Sequence, residues 1–185
     1  MSAPRKAVVT AVCLVSLVAI ALPQAQPQSS LQKQVARAAQ AIERSLAGRL
    51  RAEGERGTVI VVLDDALAAE TEAKAVLLAL RSTLAATALH RDKRLMAGAI
   101  LLSGKPVEAL KPTADLDKLP GVTREMIRTS SHGYKNALQA VREAVKLAET
   151  VPGPRAILLV TPENADNEDD LEATARILNS KHAAF

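Results

Sequence analysis

Aromatic side chains are almost missing from this chain: of 185 residues only Tyr134 and Phe185 carry a six-membered ring, and there is no tryptophan. A surface that stacks nucleobases or sugars on ring faces is therefore excluded, and any core has to be assembled from Leu, Val, Ile and Ala. Cysteine is nearly absent as well. The single one, Cys13, lies in an apolar N-terminal run, so the rest of the chain has neither thiol nor disulfide, which a domain of this size can do without. His90 and His182 are isolated, with no His or Cys at metal-ligand spacing. No phosphate-cradling glycine loop and no Gly-x-Ser-x-Gly elbow is present, so phosphoryl transfer and serine hydrolysis lack their usual framework. Strong charge of one sign is lacking too. The formal net charge is +4, and without Arg5 and Lys6 the remainder carries +2, four less those two. Basic residues are spread along the chain, with local bunching at 90–94, whereas a nucleic-acid binder concentrates its charge. We expect no nucleic-acid partner.

What the chain does have begins with an export signature. Arg5 and Lys6 supply a positive start, residues 7–22 are uncharged and apolar, and Ala19-Ile-Ala21 is a small-x-small cleavage pattern, with Ala25 as a second candidate. The alternative is an uncleaved anchor, although sixteen residues fall short of the ~20 that a spanning helix usually needs. Residues 1–25 are thus expected to be a signal peptide or N-terminal anchor, and the chain to be exported. The membrane would be a partner only through this segment, if it is uncleaved.

Residues 26–56 read as a linker and an amphipathic lead helix. The stretch 23–30 is rich in Gln, Pro and Ser, and over 31–51 apolar residues recur every three or four positions, at Leu31, Val35, Ala38, Ile42, Leu46 and Leu50. Such a helix serves either as a stalk or as part of the packed domain. From residue 57 to 185 the elements alternate. A β-branched run at 58–64 ends in Asp64 and is followed by a helical pattern over 69–89. Residues 95–102 read as a second strand, 106–112 as a short edge strand ending before Pro112, 135–149 as a helix, 155–161 as another buried strand and 169–181 as a closing helix. Continuous apolar strands alternating with helices predict an α/β fold: three layers, with a mostly parallel central sheet and helices on both faces. The chain stops just where another strand is expected, so the sheet is expected to be incomplete at its C-terminal side.

At these residues the chain resembles a von Willebrand factor type A domain. The resemblance spans roughly 57–185. It is carried by the strand Val59-Ile-Val-Val-Leu-Asp64 running into a helix, by Ser130-Ser131-His132-Gly133-Tyr134-Lys135-Asn136 before a central helix, and by Arg155-Ala-Ile-Leu-Leu-Val-Thr161. Residues 107–112 resemble the family's edge strand and 114–119 the loop after it. The resemblance implies a metal-ion-dependent adhesion site at the carboxyl edge of the sheet, where Asp-x-Ser-x-Ser, a Thr and a second Asp hold Mg²⁺ or Mn²⁺. A hard cation wants about six oxygens. Asp64 matches the first Asp, but the serine positions fall on Ala66 and Ala68. The Thr position falls on His132 (or, with a shift, Ser130 or Ser131), and the second Asp position on Pro162, with Glu163 and Asn164 beside it. The implied site is degenerate.

One feature offers a substitute. The acidic run over 163–170, with Glu163, Asn164, Asp166 and Asp170, could join Asp64 in a replacement Ca²⁺ or Mg²⁺ site. The plainer account is a solvated loop whose Asp169 and Asp170 favour the positive end of the next helix. Ser130 or Ser131 beside His132 suggests a nucleophile and base, yet capping of the helix by a serine is the simpler role. The expectation that follows is an exported, non-enzymatic protein-binding or scaffold module without a required cofactor. Its binding residues are Asp65, Ser130, Ser131, Tyr134, Glu163 and Asn164, with Asp64 and Asp166 as vestigial metal ligands. The alternative is a divalent-metal-dependent adhesion domain, or a small exported hydrolase, using Asp64 and the loop 163–170.

Overall fold

A computed structural model describes residues 7–13, 16–22, 28–50, 55–64, 70–103, 105–129 and 137–162. The centre of the molecule is strand β3 (Gly57–Asp64), whose eight residues are all buried. It pairs in parallel with β4 (Leu95–Ser103) on one side and with β6 (Arg155–Pro162) on the other. Burial on both faces explains the uninterrupted aliphatic sequence of all three strands, since neither face can accept a polar alternation. Beyond β4 lies β5 (Lys105–Thr113), antiparallel and at the sheet edge. These four strands form a mostly parallel mixed sheet, and the fold is α/β.

Helices cover both faces. On one side α1 (Gln28–Ala47) and α2 (Glu70–Ala85) bury Val35, Ala38, Ile42, Leu46, Val76, Leu77 and Leu80 against Val59, Val61 and Leu63 of β3. On the other, α5 (Ala137–Ala148) lays Ala140, Val141 and Ala144 over Ile60, Val62, Ile100 and Ile157. Alternate residues of one strand therefore feed two separate cores, as the two-residue period of a strand requires. The lead helix is no stalk: Val35, Ala39 and Ile42 are fully buried. The helical pattern over 69–89 resolves into α2 and a separate turn, α3 (Ala88–Arg91), because Thr87 caps the second piece, its hydroxyl accepting from His90 N at 3.2 Å.

Three features depart from the sequence reading. The edge strand continues through Pro112 to Thr113. Both of its prolines are accommodated because an edge strand leaves one row of backbone groups unpaired. A bulge in its pairing with β4 at Ala97 and Ala99 brings the Leu110 carbonyl onto Gly98, where a Cβ would stand 2.9 Å from that oxygen. Next, a 3-10 helix (Leu116–Gly121) and α4 (Val122–Thr129) follow β5. They bury Leu116, Leu119 and Val122 and are tied to α2 by Arg81, whose Nε donates to Asp117 Oδ1 at 2.6 Å. Finally, the apolar N-terminal run contains two strands, β1 (Ala7–Cys13) and β2 (Ser16–Leu22). They pair with each other, and β1 pairs antiparallel with β6, giving the order β2-β1-β6-β3-β4-β5. No helix among the described residues is long and apolar enough to cross a membrane. The helix expected over 169–181 lies outside the described residues.

Candidate functional site

Parallel strands align their carboxyl ends, and the chain order fixes which ends meet. From β3 the chain passes through α2 to β4 on one side, and it later returns through α5 to β6 on the other. The direction of winding therefore reverses next to β3. At such a reversal the loops leaving adjacent strands diverge to opposite faces and open a crevice beyond the carboxyl ends, the usual ligand position in open α/β sheets.

Asp64 is the last residue of β3 and stands at this point. It lies opposite Leu102 of β4, and the preceding Leu63 lies opposite Val160 of β6, so Thr161 and Pro162 continue alongside it. Strand alternation puts Asp64 in phase with Ile60 and Val62, on the face that α5 covers. Only 5% of its surface is exposed. A carboxylate so buried at a strand end is uncommon, because removing its charge from water is costly unless other groups compensate. Two helices begin at the same edge. The last turn of α5 reaches the opposite edge, where Arg56 N donates to Pro152 O at 3.3 Å, so Ala137 starts that helix near the strand carboxyl ends. By the same reasoning Glu70 starts α2 there.

Of the residues named from the sequence, the structure places Asp64 at the carboxyl edge. Asp65, Ser130, Ser131, Tyr134, Glu163, Asn164 and Asp166 lie outside the described residues, as do Ala66, Ala68 and His132. Among the described residues no group of three or more His, Cys, Asp or Glu side chains is arranged to hold a metal ion. The donor set implied by the resemblance fits a hard cation poorly on chemical grounds, since Ala66 and Ala68 bring no oxygen.

A second concavity had no counterpart in the sequence reading. A cleft of about 450 Å³ runs between β5 and α5, floored by Ile100, Pro106 and Leu147 and rimmed by Lys105, Glu108, Gln139, Glu143, Lys146 and Thr150. Its rim carries two cations and two carboxylates, and Lys146 Nζ lies 2.8 Å from Glu143 Oε1. It offers polar contacts without a nucleophile–base pair. No local signal could have revealed it, because β5 and α5 are separated in sequence and meet only through the sheet.

No protein-family model, curated protein or solved structure matches this chain.

Proposed function

We propose that this chain is an exported, non-enzymatic module that binds another protein at the carboxyl edge of its sheet, on a von Willebrand type A-like fold whose metal site is largely lost. The observation that carries the reading is the position of Asp64: a buried carboxylate at the end of the central strand, where the winding of the sheet reverses. The antiparallel edge strand β5 beside β4 also supports it, because the resemblance implies an edge strand at 107–112. Export rests on the charge and apolar pattern of residues 1–25.

On this reading the recognition surface comprises the residues after Asp64, including Asp65, together with Ser130, Ser131 and Tyr134 and with Glu163 and Asn164 after β6. Loop shape and hydrogen bonding carry the contact, with no bridging cation to complete it. The metal-dependent alternative, adhesion or hydrolysis through Asp64 and the acidic loop 163–170, makes the opposite prediction. Thermal melts of the full chain with and without millimolar Mg²⁺, Mn²⁺ or Ca²⁺ separate the two. The proposed module shows one cooperative transition at the same midpoint in every ion, and Asp64→Ala melts at or above the parent. A midpoint that rises with one ion, and no longer rises in Asp64→Ala, would overturn the metal-independent reading.

A further inference from the structure

At the amino edge of the sheet, opposite the edge that holds Asp64, five cations come together from three separate loops. Arg56 precedes β3, Arg91 ends α3, Lys93 and Arg94 lie between α3 and β4, and Arg155 opens β6. Backbone hydrogen bonds hold these loops side by side. Gly57 N donates to Arg94 O at 2.8 Å, Arg56 N to Pro152 O at 3.3 Å and Thr58 N to Pro154 O at 3.0 Å. Since β6, β3 and β4 are neighbours, their starting residues stand about 5 Å apart in a row. Arg56, Arg91 and Lys93 are exposed, while Arg94 and Arg155 are half-buried.

The same loops contain three described carboxylates, Glu55, Asp92 and Glu149, two fewer than the cations. Elsewhere Arg81, Lys118 and Lys146 are each paired, with Asp117, Asp115 and Glu143. Among the described residues Arg56, Arg91, Lys93 and Arg155 pair with no carboxylate, and Arg155 Nε is buried without a hydrogen-bond partner. The helix ends that reach this edge, those of α1, α2, α3 and α5, offset part of the charge through their carbonyls. That effect falls off within one turn.

We propose that this edge docks on an anionic lipid bilayer. A row of cations across three adjacent strand starts suits an extended, flat array of phosphates. Single-stranded nucleic acid is disfavoured because the described residues include no Trp, Tyr or Phe ring for a base to stack on. A second, independent feature points to the membrane. A basic cluster this small holds a bilayer weakly unless an apolar element adds to it, and residues 7–22, retained as an uncleaved segment, provide an apolar run. β1 brings Cys13 opposite Ala156, the neighbour of Arg155, so the end of the β1–β2 pair lies at the same edge as the cations.

The test is co-sedimentation of the full chain with phosphatidylcholine vesicles and with vesicles containing phosphatidylglycerol, at low and high ionic strength. Each lysine or arginine near an anionic surface contributes about fivefold in affinity. The full chain should partition at least tenfold more strongly to the anionic vesicles, and the preference should fade as salt shortens the screening length. Arg91→Glu with Lys93→Asn should weaken that binding by at least about 25-fold, two lost cations at the same fivefold each, with the added carboxylate lowering it further. Asn is chosen because Lys93 has φ of 56°, a conformation Asn tolerates. Lys74→Glu with Arg142→Gln, the same charge change at exposed sites on α2 and α5, should stay within about twofold, because charges away from the edge are screened. Equal partition to neutral and anionic vesicles, equal losses in the two double variants, or tighter binding to duplex DNA than to anionic vesicles at matched salt would each overturn the proposal.

Discussion

Replacing Ile42 by alanine tests whether the lead helix belongs to the core. Ile42 is fully buried in the cluster that joins α1 to α2 and β3. Removing three carbons at ~0.8 kcal/mol each costs about 2.4 kcal/mol in transfer free energy. The cavity left behind raises that figure, since buried Ile→Ala changes span about 2–5 kcal/mol. Alanine's better helix propensity returns about 0.4 kcal/mol, so the expected loss is about 3 kcal/mol. For a domain of this size each kcal/mol lowers the midpoint by roughly 2–4 °C, which gives a fall of roughly 6–12 °C. In urea, with a slope of about 2 kcal/mol/M, the midpoint should drop by about 1.5 M at unchanged slope. Arg37→Ala, on the exposed side of the same helix, should change stability by less than about 0.5 kcal/mol. An Ile42→Ala chain as stable as the parent would refute the argument and return α1 to the role of a stalk.

Two other substitutions probe the loops that position the strands. Gly153 has φ of +124°, and a Cβ there would lie 2.4 Å from the Arg56 carbonyl oxygen. Gly153→Ala therefore combines backbone strain with a clash and should cost about 3 kcal/mol or more, measured by chemical denaturation. Thr87→Ala removes the cap of α3 and should cost about 1 kcal/mol, while Thr87→Ser should be nearly neutral. Equal losses in the two Thr87 variants would show that the hydroxyl is not what matters.

The buried strands were the most legible part of the chain. β3, β4 and β6 have aliphatic runs because they face a core on both sides, and that requirement is written residue by residue into 58–64, 95–102 and 155–161. The 3-10 helix and α4 were not legible. Leu116, Leu119 and Val122 make too short a pattern, and Pro120 looks like a breaker when it in fact sits inside a 3-10 turn. Within residues 7–22 the apolar run has no internal polar period and no Asn-Gly or Gly-Gly turn. Composition there serves an export signal and a pair of apolar strands equally well, so the strands β1 and β2 could not be read from it. At the candidate site Asp64 combined a sequence signal with a place in the fold, because it terminates a strand. Glu163 and Asp166 belong to no strand or helix period in the sequence from which a position could be deduced.

The pairing of β3 also governs how the chain acquires its structure. Thr58 is in register with Arg155, so one flank of the central strand waits for a partner 97 residues further along, while the other is satisfied by β4 after fewer than forty. Contacts of such long separation close late, because a long loop must be ordered before they form. During synthesis, at about 5–20 residues per second, that flank stays open for roughly 5–20 s. An aliphatic strand with an unpaired edge is a template for pairing with other chains. The most deeply buried strand of the finished protein is thus the one most exposed to mispairing as the chain is made, and substitutions that delay β6 should lower yield before they lower stability.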